Sequence, residues 1–166
     1  MTMEELTVYG AIGAPGTERT LAWELLALAL ERELGLPQMP EIAREPGGRP
    51  YFPACPDLCF NISHSRGGAV CALDRLPVGV DVELLRPAPR RLAGDLEDEA
   101  FFRLWTAREA TVKRQGLGIG ALVGGGPEPD PLCRPLEGFL PGYVVTVCPS
   151  REARVRTVFI ENIAGR

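Results

Sequence analysis

Val78-Gly79-Val80-Asp81-Val82-Glu83 alternates apolar and acidic residues after a glycine, the period-two pattern of a strand. Asp81 and Glu83 are two positions apart, so one face of that strand carries both carboxylates. Taken alone, such a strand is equally well explained as a half-exposed one with a polar outer face. Two adjacent anions repel, however, unless a cation sits between them.

Upstream, 68–73 reads as a second short strand, joined to 78–84 through Asp74-Arg75-Leu76-Pro77, so the pair is expected to form a hairpin. Just before it stands Phe60-Asn61-Ile62-Ser63-His64-Ser65, where polar groups crowd around the chain's single histidine. Downstream, Pro87 and Pro89 mark a break. A charged and aromatic helix over 96–115 follows, closed by Gly116. On it Glu109 and Lys113 are four apart and share a face, one turn beyond Trp105; in an arbitrary helix this would be a surface ion pair worth a few tenths of a kcal/mol.

Toward the beginning, Leu6-Thr7-Val8-Tyr9 reads as a strand broken by Gly10, Gly13, Pro15 and Gly16. Thr17 offers an N-cap to an amphipathic helix from Glu18 to Leu34, stopped by Gly35 and Pro37. The glycines 10, 13 and 16 do not have the spacing of a dinucleotide fingerprint and read as a turn. Residues 118–142 form a long Gly- and Pro-rich loop, and 143–148 and 154–160 alternate as two closing strands. The pattern predicts an α+β fold of two similar halves, residues 1–86 and 87–166, each with one long helix and a few strands.

At 166 residues, with 45% hydrophobic and 24% charged residues, the chain has the balance of a globular protein. A formal net charge of -4 argues against wholesale nucleic-acid binding, and no apolar stretch is long enough to span a bilayer. Five cysteines are an odd number and suit reduced thiols in a cytoplasmic protein; Cys55 and Cys59 lack the partners of a zinc tetrahedron. Pairing Cys59 or Cys71 with His64 as a hydrolase requires an orienting group that the sequence does not announce.

Three segments, in order, resemble the signatures of the 4'-phosphopantetheinyl transferase superfamily, Sfp type: Asn61-Ile62-Ser63-His64-Ser65, Gly79-Val80-Asp81-Val82-Glu83, and Trp105-Thr106-Ala107-Arg108-Glu109-Ala110-Thr111-Val112-Lys113. Gly48-Arg49-Pro50 resembles the family's Gly-Lys-Pro turn, with arginine in the lysine's place, and Arg108 also replaces a lysine. The resemblance implies a magnesium enzyme that moves the phosphopantetheine arm of coenzyme A onto a serine of an apo carrier protein and releases 3',5'-ADP. It assigns Asp81, Glu83 and Glu109 to the metal, and Glu109 and Lys113 to catalysis. Arg19, Thr20, Arg49, Ser63, His64 and Lys113 are assigned to coenzyme A. The carrier's pathway is left open among fatty-acid, polyketide, nonribosomal-peptide and lysine synthesis. Compared with the family, two halves in one chain imply a monomer in which residues 1–86 and 87–166 form one pseudo-dimeric unit with the active site between them, and the alternative from another class is a non-catalytic coenzyme A- or nucleotide-binding relative of the same fold.

Overall fold

A computed structural model of the chain describes residues 5–161 and 163. Strand β1 (Glu5–Ile12) buries both faces, because Tyr9 and Ala11 point into one apolar cluster while Leu6 and Val8 point into another. Helix α1 (Glu18–Leu34) closes the first cluster with Leu21, Leu25, Leu26 and Leu30. Fully burying a leucine side chain stabilises by about 1.5–3 kcal/mol. The Thr17 hydroxyl does not cap α1; it donates back to the carbonyl of Ala14 at 2.7 Å, and Glu18 accepts the Gly16 N–H instead.

A short hairpin, β2 (Ala43–Arg44) with β3 (Pro50–Tyr51), leads into β4 (Cys59–Ser65) and β5 (Gly68–Asp74). Strand β6 (Gly79–Leu84) follows, then the single-turn α2 (Arg90–Ala93), α3 (Asp98–Gln115) and a 3-10 turn over Ile119–Leu122. The chain finishes with β7 (Arg134–Pro135), β8 (Tyr143–Cys148) and β9 (Arg154–Ile160).

The larger strands form two sheets, β4-β5-β1-β9 and β6-β8-β7. Val70, Ala72, Val80, Val82, Val145 and Val147 fill the space between them, so the layers run α1, first sheet, second sheet, α3. This is an α+β architecture. The expected hairpin of β5 with β6 does not form. Strand β5 is hydrogen-bonded on both edges, to β4 and β1, leaving β6 to cross over and pair with β8. Strand β9 returns to lie parallel to β1. Each sheet therefore includes a strand from the other side of residue 86.

Two glycines allow elements to approach closely. A Cβ on Gly10 would lie 2.5 Å from Leu140 and 2.8 Å from Phe139, so this glycine sits inside β1 as a packing site rather than as a break. At Gly79 the neighbour is the backbone of α3, which rests directly on β6. Tyr9, Glu33 and Arg156 bind α1 to the sheet: the Tyr9 hydroxyl donates to Glu33 at 2.6 Å, and Arg156 reaches Glu33 at 2.6 Å and Glu5 at 2.9 Å. Among the described residues no helix is long and apolar enough to cross a membrane.

Candidate active site

Asp81 and Glu83 project from β6 toward α3, because Val80 and Val82 occupy the alternate positions and are buried between the sheets. Three side chains of β4 hold this stretch in place. Asn61 accepts the Val80 N–H at 2.9 Å, the Ser63 hydroxyl donates to Asp81 at 2.8 Å, and the Ser65 hydroxyl donates to Glu83 at 2.9 Å. The polar positions 61, 63 and 65 thus form a ladder that joins strands of two different sheets. Neither Asn61 nor Ser65 stands out as a site residue in the sequence, although their period-two spacing is the signal for such a ladder.

Helix α3 supplies the other side. Thr106 hydrogen-bonds Thr146 on β8 at 2.8 Å, and Trp105 stacks on Phe101 with ring centroids 5.9 Å apart, so the start of the Trp105–Lys113 segment anchors the helix. Two turns on, the Lys113 ammonium donates to Asp81 at 2.6 Å, the Ser63 hydroxyl at 2.9 Å and the Val80 carbonyl at 3.1 Å, using all three of its donors. Glu109 lies 3.8 Å from the same ammonium.

Burial, then the charge of Asp81, pushes the Glu109 carboxyl up to about 8 against the opposing pull of Lys113. One oxygen of Asp81, Oδ2, is buried and receives no N–H or hydroxyl donor, while the Glu109 carboxyl, when protonated, is placed to donate to Asp81. Among the described residues no three His, Cys, Asp or Glu groups form a ready-made metal cage. What stands in the cleft is a set of crowded carboxylates with one oxygen that no N–H or hydroxyl satisfies, and a hard cation suits such a donor set.

These groups line an open cleft of about 370 Å³. Arg19, Ser63, His64, Asp81, Glu83, Glu109 and Lys113 all face it. So do Trp23 of α1 and Arg44 of β2, neither of which the sequence singles out. Thr20 lies elsewhere, in a groove with Ile12 and Thr17. Arg49 lines a separate pocket of about 390 Å³, beside Phe52 and Phe60, and its guanidinium is engaged with the Arg114 carbonyl and the Glu45 carboxylate, each at 2.8 Å. Cys71 is fully buried beneath α1, with a thiol raised by burial. It therefore makes no nucleophile for His64.

Comparison with curated proteins finds the same family repeatedly. The chain is 35% identical over 88 residues to a 4'-phosphopantetheinyl transferase of Bacillus subtilis, covering 43% of this chain and 39% of the relative. It is 35% identical over 123 residues to the 4'-phosphopantetheinyl transferase AcpT of Salmonella typhi, covering 62% of each. Over these stretches the chain is similar to 4'-phosphopantetheinyl transferases.

It is also 32% identical over 88 residues to the 4'-phosphopantetheinyl transferase Sfp of Bacillus subtilis strain 168, covering 43% of this chain and 39% of the relative. It spans less than two thirds of the length of each of these relatives. No family model matches.

Proposed function

We propose that the chain transfers the 4'-phosphopantetheine group of coenzyme A to a serine of an apo carrier protein, releasing 3',5'-ADP. The observation that carries this reading is the convergence of Asp81, Glu83, Glu109 and Lys113 on one cleft, with Asp81 Oδ2 receiving no N–H or hydroxyl donor. Relatives named 4'-phosphopantetheinyl transferases support it.

Asp81, Glu83 and Glu109 would hold magnesium, which when bound supplies positive charge for the pyrophosphate and relieves repulsion among the acids. Ser63 and Ser65 orient the first two carboxylates, and Lys113 fixes Asp81 while adding positive charge beside the phosphates. The serine oxygen attacks the phosphorus that bears pantetheine, the bond to 3',5'-ADP breaks, and the serine proton passes to Glu109. Arg19 and Arg44, on α1 and β2, offer guanidinium forks to phosphate, with Trp23 as an apolar wall. His64 lines the same cleft as a further phosphate contact.

The same proposal takes residues 1–86 and 87–166 as the halves of a pseudo-dimer, with the active site between them, in a monomeric, cytoplasmic enzyme. The test is to incubate the chain with coenzyme A, magnesium and a panel of apo carrier domains and to read the mass of the carriers. Addition of the phosphopantetheine group, lost in Glu109→Gln, is expected and identifies the carrier. Coenzyme A binding without transfer to any carrier would overturn the proposal in favour of a non-catalytic relative.

A further inference from the structure

Two cysteines take no part in the cleft, yet the fold sets them face to face. Strand β7 pairs with β8 so that Arg134 meets Val147 and Pro135 meets Thr146. One residue further, this register places Cys133 opposite Cys148. The Leu136 N–H donates to the Val145 carbonyl at 2.9 Å, which makes 136 and 145 a hydrogen-bonded pair. By the alternation of an antiparallel ladder 134 and 147 are another, and Cys133 and Cys148 fall on a non-hydrogen-bonded site, where Cα atoms approach to about 4.5 Å. Disulfides span Cα separations of about 4.4–6.8 Å, a range that includes the spacing of such a site.

Side chains opposite one another share a face, and here the face lies under α3. Thr111 confirms the placement: its hydroxyl oxygen is 3.2 Å from the Cys133 sulfur and 3.9 Å from that of Cys148. Both residues are free thiols; Cys148 is buried and Cys133 is partly exposed.

We propose that Cys133 and Cys148 form a peroxide-sensitive dithiol that closes to a cross-strand disulfide. The inference is independent of the transfer activity. Cys133, the partly exposed member of the pair, attacks hydrogen peroxide: its sulfur takes one oxygen and becomes a sulfenic acid, and the other oxygen leaves as hydroxide, which takes up the thiol's proton to become water. The Cys148 sulfur then displaces the sulfenic hydroxyl, its own proton accompanying the departing oxygen as water. In sum, two thiols are oxidised to one disulfide and one peroxide is reduced to two waters.

The asymmetry of the pair suits these roles. A hydrogen bond from the Cys148 thiol, then one from Thr111, holds the Cys133 thiol below its ordinary range, whereas Cys148 is raised by the same bond and by burial. Closure would rivet β7 to β8 on the surface that carries α3, one strand away from Gly79, which pairs with Cys148 across β6 and β8. In a reducing compartment such bonds are transient and sense oxidants.

The test is to treat the folded full chain with hydrogen peroxide, alkylate the remaining thiols, and map peptides with and without reductant. A Cys133–Cys148 link that reductant reverses is expected, with Cys71 still a thiol before alkylation in unfolding buffer. The thermal midpoint of the linked form should rise by about 5 °C, since the bond restricts the unfolded chain. Cys133→Ser should abolish both the link and the rise while leaving Cys148 reduced. Oxidation that stops at a sulfinic acid on Cys133 with Cys148 still free, or a link that forms only after unfolding, would overturn the proposal.

Discussion

The backbone of Ala110 lies so close over Gly79 that a Cβ added there would sit 1.9 Å from the Ala110 carbonyl oxygen and 2.8 Å from the Arg114 nitrogen. These are helix backbone atoms, which cannot swing aside as a side chain can. The absence of a side chain at 79 therefore sets the height of α3 above β6, and with it the reach of Glu109 and Lys113 to Asp81.

Gly79→Ala should accordingly lift the helix. An overpacked site of this kind costs about 1–3 kcal/mol, so the thermal midpoint should fall. Coenzyme A affinity, read by calorimetry well below that midpoint, should fall as well. A variant that keeps both values would show that α3 does not depend on the bare position.

Ser63→Ala removes the hydroxyl that donates to Asp81 and accepts from Lys113. On the proposal that Asp81 holds magnesium, losing this hydrogen bond should weaken metal binding by about 10–100-fold. The magnesium concentration for half-maximal transfer should rise by that order, with the fold unchanged by circular dichroism.

Lys113→Met leaves the Asp81 carboxylate facing Glu109 without its cation. The ammonium is a quarter exposed and Asp81 is almost fully buried, so the pair falls between a surface bridge and an interior one. A loss of about 1–3 kcal/mol in urea unfolding is expected. Added magnesium should recover part of it, because a second cation can neutralise the same acids.

The arginines of the β2–β3 hairpin should separate cleanly. Arg44→Gln faces the cleft and is expected to raise the KM for coenzyme A about tenfold, as the loss of one charge-assisted hydrogen bond would. Arg49→Gln should leave KM nearly unchanged and lower the unfolding midpoint, since that guanidinium ties the hairpin to the end of α3.

Acid should loosen the contact of α1 with the first sheet. Burial disfavours the Glu33 carboxylate, but hydrogen bonds from Tyr9 and Arg156 outweigh it and hold the group below its usual range. A depressed carboxyl contributes stability that is full above its unfolded pKa, near 4.5, and is lost as pH falls through the folded value. Tyr9 acts at the other end: raised to about 12 by burial and by Glu33, it withdraws stability as pH climbs past its ordinary 10. Urea midpoints across a pH series should show both slopes in the wild type. Glu33→Gln should flatten the acid one.

The helices were legible because Gly35 and Gly116 end them at points where the apolar spacing also stops. Strands 143–148 and 154–160 were legible from their valine-rich, β-branched runs, although 143–148 is buried on both faces over its last four residues rather than alternating. The passage of the chain from β5 into a different sheet was not legible, since nothing between Asp74 and Gly79 reveals that both edges of β5 are already taken. The acids and Lys113 could be picked out by spacing, whereas Arg44 could not, because only the hairpin decides which of its two arginines meets the cleft. Arg19 and Thr20 show the limit of proximity in sequence. Successive helical residues point about 100° apart, and these two enter different grooves.

Strand β1 is hydrogen-bonded to β9 along the register from Glu5 with Arg154 to Ala11 with Ile160. During synthesis β1 thus keeps one edge unpaired until β9 has also been made. The first sheet closes only after synthesis has passed residue 160, and pairing over so long a separation is slow. During that interval the open edge of β1 is where a chaperone would be most useful.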